Sequence, residues 1–376
     1  MKVLYVTPSF YPATFWGGPI WSTKAICDGM SAVPGVFVRV LTTDAASPTR
    51  GDRVRPTALA YPVHYARRVA GHSIAPGLLA RLPEAIAWAD VVHLTGTYSA
   101  PTLPTLFFAK LLQKPVVWSP RGALQATADW ADAPRQSLKH GFERAAQMLR
   151  PRDTVLHVTA GAEAAQSVAR LGDITCAVIP NCVDVPAELP LREITGQRLL
   201  YLGRLHPKKG LSLLFDAMNQ LPAGFTLDVY GNGDAEYMTG LQARADQSGG
   251  RIRLHGYVDG AAKTKAFAAA DLFVLPSFSE NFGIAVAEAM AHGLPVLTTT
   301  ATPWADVEKH GCGRCVDLGR VDLAAEIHAL CAGDLPAMGQ RGRDWMARQF
   351  SPDAMVAAFT TLYCDMLGTR LLEVPA

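Results

Sequence analysis

Two carboxylates, Glu280 and Glu288, bracket the start of an otherwise apolar run in SENFGIAVAEAMAHG, residues 279–293. The preceding DLFVLPS has the apolar, aromatic content of a buried strand, which makes SENFG a turn and predicts a helix from Ile284 to Ala291. The first N–H groups of a helix have no intrahelical acceptor and favour negative charge, and Gly283 has no side chain to keep a phosphate away from them. Ile284 adds another N–H, and Asn281 and Phe282 complete the turn. One turn on, Glu288 shares a helical face with Ile284 and lies about 6 Å along the axis from the helix start. From there a carboxylate can accept hydrogen bonds from the ribose of a bound nucleoside diphosphate. Glu280, in the loop, can accept from the hydroxyls of a sugar beyond the diphosphate. Capping by Glu280 and ion pairing of Glu288 with a nearby Arg or Lys are the structural alternatives.

A second constellation, LGRLHPKKG at residues 202–210, puts Arg204, Lys208 and Lys209 directly after a strand. The planar fork of an Arg and the point charge of a Lys five residues on can hold a diphosphate from two sides. Solvated surface charge is the alternative.

The elements that position these residues are those of α/β domains. Strand-like runs KVLYVTP, VFVRVLTT, DVVHLTG, PVVWSP, DTVLHVTA and CAVIPN alternate with helical stretches, and the pattern restarts with RLLYLGR, FTLDVYG, RIRLHGYV, DLFVLPS and LPVLTTT. At 376 residues the chain suits two domains. We expect two Rossmann-like, doubly wound domains facing across a cleft, spanning residues 1–187 and 188–350. The junction falls in VPAELPL, Val185 to Leu191, and a C-terminal helix and tail, 351–376, packs back on the first domain.

Charged residues make up 18% of the chain and the net charge is +2, which argues against nucleic acid as a partner. The first 187 residues hold 18 basic against 12 acidic side chains, the rest 17 against 21. Arg135, Lys139, Arg144, Arg150 and Arg152 cluster in one helical stretch, either a solvated face or a surface for anionic lipid or an acidic acceptor. The seven scattered cysteines and the absence of a signal-peptide layout fit the cytoplasm, and no apolar run is long enough to span a membrane. Cys312 and Cys315 form a lone C-x-x-C without a second pair at zinc spacing.

The order and spacing of the motifs resemble the retaining GT-B glycosyltransferases of family 4 over nearly the whole chain. The E-x7-E of SENFGIAVAE, YLGRLHPKKG and IPNCVD at the domain junction carry the resemblance. It implies that Arg204, Lys209 and the N–H groups of Gly283 and Ile284 hold the donor diphosphate, Glu288 the ribose and Glu280 the transferred sugar. HGYV, 255–258, resembles the segment passing the nucleobase, or is an ordinary strand end; YGNGD, with Gly231 and Gly233, resembles a glycine turn that shapes the site. TPWAD, 302–306, resembles a turn near the donor, with Trp304 read as packing.

The first domain resembles the family at FWGGP, which implies that Gly17 and Gly18 let the loop pass close to the donor's phosphate and sugar; a tight turn that needs them is the alternative. SPRGAL carries Arg121 where many relatives have His. An Arg stays charged and cannot act as a base, but it can stabilise the acceptor or developing charge. His93, in VVHLTG, stands where the family often shows a histidine pair, with Thr95 in place of the second; it is either a cleft residue or a satisfied structural histidine. Cys182 replaces a customary glycine.

The resemblance implies transfer of a sugar from a nucleotide-sugar to an acceptor hydroxyl with retention, the leaving phosphate taking the acceptor proton. Arg204, Lys209, Glu280 and Arg121 would carry the catalysis, with no metal and no cofactor beyond the nucleotide-sugar substrate. The acceptor class implied is a saccharide or lipid-linked saccharide in polysaccharide, lipopolysaccharide or glycolipid synthesis. The enzyme would be cytoplasmic, meeting the anionic inner face of the plasma membrane peripherally. A nucleotide-sugar epimerase of the same fold and a catalytically silent nucleotide-sugar binder are the competing readings. A dinucleotide oxidoreductase would need a G-x-G-x-x-G joining strand to helix, which is missing.

Overall fold

A computed structural model describes residues 1–125, 136–190 and 193–368. Arg135 of the basic run, Leu191 of the expected junction and the tail beyond 368 lie outside the described residues. The chain divides into two units, Met1–Cys182 with Pro352–Ala376, and Val183–Ser351.

The first unit runs β1 (Lys2–Val6), α1 (Gly18–Ala32), β2 (Phe37–Thr43), β3 (Val63–Ala66), α2 (Pro76–Trp88), β4 (Val91–Thr95), α3 (Thr102–Leu111), β5 (Val116–Ser119), α4 (Gln136–Leu149), β6 (Thr154–Val158), α5 (Gly161–Leu171) and β7 (Thr175–Val178). The second runs β8 (Arg198–Leu202), α6 (Leu211–Gln220), β9 (Thr226–Tyr230), α7 (Ala235–Asp246), β10 (Ile252–Gly256), α8 (Gly260–Ala268), β11 (Leu272–Val274), α9 (Ile284–Ala291), β12 (Val296–Thr299), β13 (Gly313–Val316), α10 (Leu323–Cys331) and α11 (Leu335–Gln349). The last helix, α12 (Pro352–Leu367), returns to the first unit.

Seven parallel strands in the order β3-β2-β1-β4-β5-β6-β7 form the first sheet, and six in the order β10-β9-β8-β11-β12-β13 the second. Each unit is therefore a doubly wound, Rossmann-like fold, as expected. The strand order reverses between β1 and β4 and between β8 and β11, and those reversals are where such sheets bind ligands.

Alternation along β1 shows why the first sheet is buried on both faces. Leu4 and Val6 join one apolar cluster with Leu82 and Trp118, while Val3 and Tyr5 join another with Met30, Phe359 and Tyr363. α12 supplies Phe359 and Tyr363 to the second cluster and packs beside α1. One continuous core unites the second unit, including Val183, whose N–H donates to Phe350 O at 2.8 Å. Two short edge strands, β3 and β13, lie outside the strand runs read from the sequence.

Candidate functional site

Both motif loops of the second unit leave strands that adjoin at its reversal: Arg204 and Lys209 follow β8, and Glu280 to Gly283 follow β11. Backbone bonds stitch the loops together. Lys208 O accepts from Phe278 N–H at 2.8 Å and from Ser277 Oγ at 3.2 Å. That stitch brings Lys209 Nζ onto Glu280 Oε1, with 12% of the lysine side chain and 14% of the glutamate exposed. Burial pushes the Lys209 ammonium below its ordinary pKa, and Glu280 pulls it back. Arg204 is exposed and forms no ion pair among the described residues, so its charge is open to an incoming anion.

α9 begins where the sequence placed it. Gly283 is its N-cap at φ 73°, and no side chain caps it, so Glu280 is not a helix cap. A Cβ on Gly283 would sit 3.3 Å from Trp304 Nε1, and that indole N–H donates to Phe282 O. Trp304 is 1% exposed, so it packs beneath the turn and fixes the helix entry. Asn281 Oδ1 is buried without a partner among the described residues.

On the next turn Glu288 Oε1 lies 2.7 Å from Lys263 Nζ of α8, so the pairing alternative is realised in this arrangement. The pair keeps 21% of the Glu288 and 28% of the Lys263 side chain exposed, which leaves the carboxylate reachable. Lys263 had no role in the sequence reading. Its signal was its place in GAAKTK, the start of the helix that follows HGYVD. In HGYV, His255 Nε2 lies 2.6 Å from Asp228 Oδ1 and the ring stacks on Tyr230, while Tyr257 is exposed. Gly231 approaches Gly203 O so closely that a Cβ would meet it at 1.8 Å, so this turn shapes the Arg204 loop through its backbone.

In the first unit Gly17 caps α1 without a side-chain bond, Gly18 is the first helical residue, and a Cβ added at either would meet no neighbouring element within 4 Å among the described residues. His93 is fully buried, with Nδ1 2.6 Å from the Tyr363 hydroxyl and Nε2 2.6 Å from Ser119 Oγ. Ser119 Oγ also meets His157 Nδ1 at 2.6 Å, and His157 Nε2 faces Ile179 O at 2.9 Å. A carbonyl can only accept, so the partners assign the protons in turn: His157 Nε2 donates, Ser119 donates to His157 Nδ1, and His93 Nε2 donates to Ser119. Tyr363 then donates to His93 Nδ1 and accepts from Tyr5 at 3.0 Å. Both rings are neutral, and burial holds His93 well below the ordinary pKa and His157 at about 3. Of the two readings of His93, the structure shows the satisfied structural histidine: Nδ1 ties β4 to α12 through Tyr363, and Nε2 ties it to β5 through Ser119.

Arg121 follows β5, and its Nη1 donates to Asn181 Oδ1 at 3.1 Å. Cys182 packs against the first unit's core. Among the described residues no group of three or more His, Cys, Asp and Glu is placed to hold a metal ion.

Residues 196–333 match the family model described as glycosyl transferases group 1. The phosphatidyl-myo-inositol mannosyltransferase of Mycobacterium tuberculosis is 34% identical over 158 residues, 39% of this chain and 41% of that protein. The lipopolysaccharide core biosynthesis glycosyltransferase LpsE of Rhizobium meliloti is 29% identical over 187 residues, 48% of this chain and 51% of that protein. The matches thus span about half or less of these relatives' length. Among solved structures, Anabaena HepE in complex with UDP aligns with a TM-score of 0.75 at 18% identity, covering 97% of this chain and all of that one. The likeness establishes the fold.

Proposed function

We propose, from a chain of GT-B fold whose residues 196–333 match the group 1 glycosyl transferase model, that it moves a sugar from a nucleotide-sugar to an acceptor hydroxyl with retention at the anomeric carbon. The observation that carries the reading is the grouping of Arg204, Lys209, Glu280 and the uncapped start of α9 at one strand reversal, with Glu288 a turn further on. Arg204, Lys209 and the N–H groups of Gly283 and Ile284 hold the diphosphate and stabilise the charge it gains on leaving. Glu288 accepts from the ribose and Glu280 from the transferred sugar. The leaving phosphate takes the acceptor proton, so the reaction needs no metal, cofactor or protein nucleophile.

HepE, at similar fold, was solved with UDP, and the relatives' names place them in glycolipid and lipopolysaccharide synthesis, which supports a nucleotide-sugar donor and a saccharide or lipid-linked acceptor. Peripheral membrane contact is supported by α3 and α4, which pack together and expose Phe107, Leu111, Leu138 and Met148 beside Lys110 and Arg144. Among the described residues no helix is long and apolar enough to cross a membrane.

Calorimetric titration with UDP, GDP and ADP tests the donor site. Glu288→Ala should weaken the nucleotide that binds by about tenfold or more, the value of hydrogen bonds to a charged acceptor. Lys263→Ala, which keeps the carboxylate, should have a milder effect. Equal losses in the two variants would reduce Glu288 to a structural partner of Lys263 and remove the ribose assignment.

A further inference from the structure

Arg121 carries more buried hydrogen-bonding capacity than the protein uses. Its φ of 56° is left-handed, which a side chain other than glycine adopts only where its neighbours impose it. Glu163 imposes it. Fully buried, it accepts from Gly122 N–H at 2.6 Å through one oxygen and from the N–H and hydroxyl of Thr159 at 2.9 Å through the other. With both oxygens engaged, Glu163 offsets the Arg121 charge without bonding the guanidinium.

The single hydrogen bond of that guanidinium, from Nη1 to Asn181, leaves Nε and Nη2 buried and unpartnered among the described residues. These two nitrogens form the edge on which two N–H bonds run parallel, the edge that grips two oxygens of a carboxylate or phosphate at once. Burial outweighs the pull of Glu163 and brings the Arg121 pKa down to about 10, as befits a cation short of a bonded counter-charge. On the strand next to β5, Thr95 pairs in register with Ser119, and among the described residues both Thr95 Oγ1 and Thr97 Oγ1 are buried without partners. An unmet guanidinium edge and unmet hydroxyls at the carboxyl ends of neighbouring strands suit a hydroxylated ligand that bears an acid group.

We propose that the Nε–Nη2 edge of Arg121 is an oxyanion clamp for a carboxylate or phosphate group of a substrate, so that one of the sugars handled is acidic. The clamp stands on the geometry of the first unit; only the identity of its cargo as a sugar substrate rests on the glycosyltransferase reading.

The test titrates the full chain with glucuronate, inorganic phosphate and neutral glucose, each with and without saturating UDP or GDP. Glucuronate or phosphate should bind at millimolar concentration where glucose does not, and Arg121→Gln should weaken that binding by about tenfold or more. Arg121→Lys, which keeps the charge and loses the fork, should fall between. Oxyanion binding that is additive with the nucleotide supports an acid group on a sugar, whereas oxyanion binding lost on saturation with UDP or GDP overturns that assignment. Binding no better than glucose, or binding equally strong in Arg121→Gln, overturns the clamp. The comparison of glucuronate with glucose needs no variant and so survives a misfolded one. Nucleotide binding in the same titrations reports on the glycosyltransferase reading separately: a chain that takes UDP or GDP but no oxyanion refutes the clamp alone.

Discussion

Lys209 and Glu280 allow a structural pair to be separated from a ligand site by a double-mutant cycle. Removing one partner of a fully buried ion pair costs about 3–5 kcal/mol because it strands the other charge. Water still reaches 12% and 14% of these side chains, which lowers the expected loss to about 2–3 kcal/mol for Lys209→Met. For a unit of this size that is a fall in melting temperature of about 4–12 °C. Glu280→Gln should cost less, since the ammonium, already below its ordinary pKa, can shed its proton once the carboxylate is gone. The double variant strands neither charge and should return to within about 1 kcal/mol of the parent. Urea unfolding followed by far-ultraviolet circular dichroism supplies the free energies, and nucleotide titration is run on the same samples. If Lys209 meets the diphosphate, the double variant regains stability but binds about tenfold more weakly. Single variants within about 0.5 kcal/mol of the parent would refute the burial argument, since that is what exposed pairs show. Full nucleotide affinity in the double variant would leave Lys209 a structural residue.

Stability of the first unit should fall in acid. His93 and His157 are held below the ordinary histidine pKa, so below about pH 6.5 the unfolded chain binds protons that the folded chain refuses, and stability rises with pH across that window. His157, at about 3, should alone account for a loss of about 2 kcal/mol between pH 7 and 5, read by denaturant unfolding; a flat profile, or one unchanged in His157→Gln, would count against it. Gly210→Ala should destabilise the second unit by more than about 2 kcal/mol, because φ is 71° and the new Cβ would lie 1.9 Å from Pro276 O, a backbone atom that cannot swing away. A loss under about 0.5 kcal/mol in the same assay would refute the close approach of the two loops at Gly210.

Legibility in the sequence followed the range of the interactions involved. The bounds of α9 could be read because they are local: Gly283 supplies the left-handed N-cap, and the small apolar residues after it have no competing preference. The central strands were legible because burial on both faces demands β-branched runs such as VVHLT. VHYA and GRCV escaped notice because these four-residue edge strands hold only two and one β-branched or aromatic residues and none adjacent, whereas β7, equally short and also at an edge, runs into the adjacent Val178 and Ile179 of CAVIPN. His93 could not be assigned from sequence, since its deciding partner, Tyr363, stands 270 residues away on a helix that returns to the first unit. Lys263 was hidden for the same reason, being a residue of α8 that matters only through its contact with α9.

The arrangement of charges also answers an apparent contradiction in the motif, two carboxylates flanking a site for an anion. A bare carboxylate beside a diphosphate would repel it, and the low dielectric of a part-buried loop would strengthen the repulsion. Each carboxylate is instead bound to a lysine, Glu280 to Lys209 and Glu288 to Lys263, so neither presents an unbalanced charge. Arg204, exposed and in no ion pair among the described residues, and the N–H groups at the start of α9 then dominate the local potential. An acid bonded to a lysine on one side still accepts hydrogen bonds on the other, since each carboxylate oxygen has two lone pairs. The lysines thus make it physically consistent for the same two glutamates to receive sugar hydroxyls next to a phosphate.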